Sequence, residues 1–208
     1  MFKYIAPFVL FAILTYIPEV TGLSQAVAYP VKTVAVALLL YHFRATFRHE
    51  VKPVMDWTAV LAGVLVFLLW TGMEGMYPLL GEPAGFNPFD LSGSHAAALV
   101  LIFFRMCGAV LVVPVMEEIF WRSFALRVLI SSRFREISPG TFTWFSFITV
   151  SVAFGFVHHH WLPGILAGMV YALVLYRTRN LFSPILSHAV TNLLLGTYVL
   201  WRGEWLYW

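Results

Sequence analysis

Apolar residues dominate this chain in long runs, and short clusters of charge separate the runs. A bilayer core about 30 Å thick needs about 20 apolar residues per crossing helix. Seven runs approach that length: Tyr4–Pro18, Val27–Phe43, Trp57–Met73, Ala96–Leu129, Phe142–Val157, Leu162–Tyr176 and Pro184–Trp201. The pattern predicts an all-α, polytopic integral membrane bundle with about seven transmembrane helices, built as a single domain over residues 1–208. The first run is short and contains proline. Only Lys3 precedes it and no small-residue cleavage site follows, which argues against a signal peptide. The fourth run is too long for a simple span, and Pro114 interrupts it. Proline removes a backbone donor and bends a membrane helix.

The charges alternate in sign from loop to loop. Arg44, Arg48 and Lys52 follow the second run, Arg127, Arg133 and Arg135 the fourth, and Arg177 and Arg179 the sixth. The intervening loops carry Glu19, then Glu74, Glu82 and Asp90. Lysine and arginine stay on the cytoplasmic side. The predicted topology therefore has a cytoplasmic N-terminus and an external C-terminus. Trp57, Trp70, Trp201, Trp205 and Trp208 lie near run ends, as an aromatic belt requires. The longest polar segment, Glu74–Ser94, reads either as an ordered external cap or as a mobile loop.

Composition narrows the classes. The 208 residues are 61% hydrophobic and 11% charged, with a mean hydropathy of +0.83. Soluble domains average about 45–50% apolar and about 25% charged. Disorder is excluded by the hydrophobicity, and a disulfide scaffold by the lone Cys107. The net charge of +3 reflects topology, so no nucleic-acid partner is expected. Membrane lipid is the expected surroundings.

Ionisable groups inside apolar runs carry the candidate chemistry. A carboxylate at the bilayer centre costs about 2.5–3.5 kcal/mol even on an insertion scale. Glu117, Glu118 and Arg122 lie within Val113–Phe124. Residues four apart share a helix face, so Glu118 can pair with Arg122. Glu117 points about 100° away and is left with a free carboxylate. The three equally suit one structural charge cluster. Phe154 and His158 are also four apart, followed by His159 and His160. Three consecutive helical residues splay around the axis, so one functional histidine is expected. His188 and Asn192 repeat the spacing on the last run, where an interhelical hydrogen bond is the plainer reading. Taken together, a glutamate, two histidines and an amide are the parts of a water-activating hydrolase. The carboxylate takes a proton from water, and imidazole and amide donate to an oxyanion. Cys107 reads as a buried small hydrophobe.

These residues resemble a known pattern. Glu117-Glu118-Ile119-Phe120-Trp121-Arg122 is similar to the EExxxR motif of the CAAX-protease and bacteriocin-processing family. Phe154 to His158 resembles its FxxxH motif, and His188 to Asn192 its HxxxN motif, in the same order within residues 110–192. The wording from His188 to Trp208 resembles a bacterial subfamily, CAAX prenyl protease-related, associated with exosortase-type sorting systems. The resemblance implies an intramembrane endopeptidase of a bacterial inner membrane, acting on a membrane-associated peptide or protein. It implies that Glu117 activates water, that His158 helps hold it, and that His188 and Asn192 form the oxyanion site. Glu118, Arg122 and Phe154 would support them. No cofactor is favoured. Zinc is the alternative, and Glu117, His158 and His188 could supply its three ligands. Two readings from other classes remain. One is a non-catalytic immunity or interaction protein that keeps the fold. The other is a transporter with a proton relay, although no internal repeat is evident.

Overall fold

The computed structural model describes residues 1–82 and 85–208. Among these residues eight helices follow in order: α1 (Phe2–Thr21), α2 (Gln25–Phe47), α3 (Trp57–Gly72), the short α4 (Pro88–Leu91), α5 (His95–Val128), α6 (Trp144–Phe156), α7 (Trp161–Thr178) and α8 (Phe182–Arg202). Among the described residues there is no strand. The helix ends follow local chemistry. Ser24, Asp56, Asn87, Ser94 and Thr143 each accept a backbone N–H in the first turn of the helix they precede. Gly22 and Gly203 close α1 and α8 in the left-handed conformation that suits glycine.

Among the described residues four helices are long and apolar enough to cross a bilayer: α1, α2, α5 and α7. Of the expectation of about seven transmembrane helices, the structure supports the coarser part, a polytopic α-helical membrane protein. Helices α3 and α6 are apolar but shorter. Helix α8 has 21 residues, yet Ser183, Ser187, His188 and Thr191 give it a buried polar face. That face packs inward. Ser187 donates to the Ala59 carbonyl at 2.8 Å, and Thr191 donates to the Gly63 carbonyl at 2.9 Å. Small residues at such crossings let backbones approach. Gly155 of α6 and Gly164 of α7 do the same, since a Cβ on either would collide with the other helix. The sixth apolar run stays one continuous helix through Pro163 and Gly164. They sit inside α7.

The outer surface is apolar. Leu38, Leu61, Leu65, Phe103, Leu111 and Trp144 are all exposed, as lipid-facing side chains are. The interior holds an aromatic core with Tyr4, Phe47, Phe134, Trp121 and Phe154. It also holds Lys32, Glu50, Glu117, Glu118, Arg122, Arg127 and His188, all buried. The polar loop after α3 packs on the C-terminal turn. Phe86 is buried and its N–H donates to the Trp205 carbonyl. Pro83 and Ala84 of the expected cap lie outside the described residues.

Pro114 does not end α5. The helix instead passes through two π-helical stretches, Gly108–Val112 and Ile119–Ala125. In the first, the Val113 N–H bonds five residues back to the Gly108 carbonyl. The next donor in that register would be Pro114, which has none. The carbonyl it leaves free is that of Ala109. Single π turns within α-helices are frequent at functional sites.

Candidate active site

The two π stretches bracket the Glu117–Glu118 pair. Both glutamates are buried, but their surroundings differ. Glu118 is fully enclosed. Its Oε2 lies 3.0 Å from Arg122 Nε, and its Oε1 accepts from His188 Nδ1 at 2.9 Å. Arg122 in turn donates to the Gly168 carbonyl of α7 at 3.2 Å. Its guanidinium stacks 4.3 Å above the Phe154 ring. Four helices, α5, α6, α7 and α8, thus meet on one ion pair. Glu117 Oε2 is buried with no hydrogen-bond partner. A buried polar atom left unpaired costs about 1–3 kcal/mol, more when charged.

Glu117 faces a cavity of about 280 Å³ that is also lined by His158, His188, Asn192, Phe154 and Tyr171. His158 follows the end of the fifth apolar run and His188 lies near the start of the seventh. The structure brings both to this cavity because α6 is short. Its 13 residues rise only about 20 Å, so the chain turns back before completing a crossing. His158 is not helical, contrary to expectation. It lies in the bend after α6, where Nδ1 donates to the Phe154 carbonyl at 2.7 Å. Phe154 lies between the two histidines, with ring centroids 5.0 Å from His158 and 6.1 Å from His188. Trp70 of α3 holds the far face of His158.

The partners orient both rings. The Phe154 carbonyl can only accept, so Nδ1 is the donor in His158, and the same nitrogen of His188 faces the Glu118 carboxylate. Nε2 of each is then the ring nitrogen left for other partners. His159 and His160 serve elsewhere. His159 Nδ1 donates to the Leu80 carbonyl, and His160 Nδ1 meets the Tyr77 hydroxyl at 2.8 Å. Both clamp the loop after α3. Burial pushes His160 below the usual imidazole value.

Asn192 takes up the carbonyl that Pro114 frees. Its Nδ2 donates to Ala109 O at 2.7 Å. One amide proton is thereby committed to the π stretch, and the side chain still lines the cavity.

Arg105 was missed by the sequence reading. It lies inside the fourth apolar run and lines the same cavity. Its Nε is buried without a partner. The guanidinium is caged by Tyr29, Phe86 and Trp208 at 4.5, 5.0 and 5.8 Å. An arginine in an apolar run is the same signal that singled out Glu117, so it was legible. Cys107 is half-buried rather than buried.

Among the described residues no group of three or more His, Cys, Asp or Glu side chains is placed to hold a metal ion. Glu117, His158 and His188 share the cavity without forming a common coordination site.

Residues 97–194, somewhat less than half of the chain, match the family model described as Rce1-like, Type II CAAX prenyl endopeptidase Rce1-like. Over that stretch the chain is similar to this family. No curated protein and no solved structure matches the chain. The span matched to the Rce1-like family runs from the start of α5 into α8. It takes in Arg105, both glutamates, His158, His188 and Asn192, and leaves out α1 to α4.

Proposed function

We propose that this chain is an intramembrane endopeptidase that hydrolyses a peptide bond of a membrane-associated protein or peptide. The observation that carries the reading is the unpartnered Glu117 carboxylate in the cavity shared with His158, His188 and Asn192.

In this reading Glu117 accepts a proton from a water molecule as the water oxygen bonds to the scissile carbonyl carbon. His158 holds that water through Nε2. The carbonyl oxygen becomes an oxyanion, received by His188 and Asn192. His188 donates from Nε2 only in its doubly protonated form, whose charge the Glu118 carboxylate at 2.9 Å offsets. Collapse of the tetrahedral intermediate breaks the C–N bond, and the proton held by Glu117 passes to the leaving amine. Glu118, Arg122 and Phe154 are positioning residues that hold the two imidazoles. Arg105 supplies the cavity's fixed positive charge, suited to a carboxylate on the substrate. Residence in a bacterial inner membrane and a substrate from an exosortase-type system accord with the motif wording.

The test compares a native host with one carrying only Glu117→Gln, by mass spectrometry of the termini of membrane and exported proteins. Specific termini that shift in the variant identify substrates. Unchanged termini, with a phenotype on full deletion, would replace the protease by a scaffold or immunity protein.

A further inference from the structure

A second polar centre lies at the other end of the bundle, where α1 begins and α2, α5 and α7 end. A cavity of about 560 Å³ opens there, lined by Lys3, His49, Lys52, Arg127, Arg135 and Arg179 together with Glu50 and Glu136. Its two carboxylates are engaged. Glu50 receives Arg127 Nη2 at 2.9 and 3.0 Å, the Tyr4 hydroxyl at 3.0 Å and the Ser123 hydroxyl at 2.5 Å. Glu136 pairs with Arg133 at 3.5 Å. Four cations remain on the rim, Lys3, Lys52, Arg135 and Arg179. None has a carboxylate within ion-pair distance among the described residues.

The positive-inside rule requires basic residues at one end of the bundle. It does not require cations from four separate segments to converge on one cavity, and here they do. The rim is also held in place. Asn180 donates to the Lys52 carbonyl at 2.7 Å and accepts the Lys52 N–H at 3.0 Å. Arg179 ends α7 at φ +50°, a strained conformation for arginine. Gly140 lets the neighbouring loop approach it, because a Cβ there would meet the Leu175 carbonyl and Arg179.

We propose that this cavity is a phosphate-binding site that takes the headgroup of an anionic membrane phospholipid. Arginine and lysine forks match phosphate oxygens, and basic pockets at the membrane surface bind acidic headgroups. The cavity lies within the usual ligand-pocket range of about 300–1,000 Å³. The assignment is independent of the peptidase reading, so Glu117→Gln leaves it unaltered.

The test is native mass spectrometry of the full chain, offered phosphatidylglycerol and phosphatidylcholine with identical acyl chains. The native protein should retain phosphatidylglycerol with a preference of roughly tenfold. Arg135→Gln with Arg179→Gln should bring that preference close to parity. Arg44→Gln with Arg48→Gln removes the same charge from the same end outside the cavity, and should leave it intact. Inorganic phosphate is the second probe. Failure to displace the lipid upholds the headgroup as occupant, and displacement moves the assignment to a soluble phosphate ester. An equal fall in both double variants, or no preference in the native protein, overturns the site.

Discussion

Two buried carboxylate centres sit in this bundle, and they are built to opposite rules. Glu50 is saturated. One arginine, one tyrosine and one serine fill its oxygens, and all three partners are buried. The Glu117–Glu118 centre is split. Glu118 is ion-paired with Arg122 and hydrogen-bonded to His188, while Glu117 Oε2 has neither an ion pair nor a hydrogen bond. A saturated buried carboxylate holds helices together. An unsaturated one facing a cavity is a cost to the fold and a resource for chemistry. On α5 an ion-paired carboxylate and an unpartnered one lie one residue apart.

The largest effect should separate the two rules outright. Glu117→Gln should lower cleavage by roughly 10²–10⁴-fold, as loss of a general base does, while the protein still inserts and folds. Size-exclusion profiles beside termini analysis check both halves. Arg127→Met should do the reverse. It strands the buried Glu50 charge at a cost of about 3–5 kcal/mol, read as loss of folded protein in detergent. Asn192→Ala falls between these classes. Removing an oxyanion donor lowers turnover by about 10²–10³-fold. The Ala109 carbonyl is also left unpaired, so a modest drop in thermal stability should accompany it. Tyr4→Phe is the smallest. It deletes one of several bonds to Glu50, and a bond to a charged group is worth about 1.5–3 kcal/mol at most. Thermal unfolding should register a few degrees with cleavage intact.

Part of this was legible in the sequence. The pairing of Glu118 with Arg122 follows from helical spacing. The different direction of Glu117 follows from the same geometry. The apolar runs gave most helices to within a few residues. What was not legible arose from long-range packing. The meeting of His158 with His188 depends on α6 turning back early, and apolar composition alone does not show where a run stops being helical. The role of Pro114 depends on a π register, which orphans Ala109 O rather than merely bending the helix. Arg127 was read as loop charge and Glu50 was passed over, and nothing local announces a pair 77 residues apart. Arg105 was readable by the rule already applied to Glu117 and was passed over.

The most direct test of the central claim needs no substrate. Thermal unfolding of Glu117→Gln and Glu118→Gln, each in lipid nanodiscs beside the native protein, compares two near-isosteric changes at adjacent buried positions. Glu118→Gln should lose about 3–5 kcal/mol because it strands Arg122, whereas Glu117→Gln should unfold at or slightly above the native temperature. Equal destabilisation by both would contradict the division of labour, and would make the two glutamates one structural cluster.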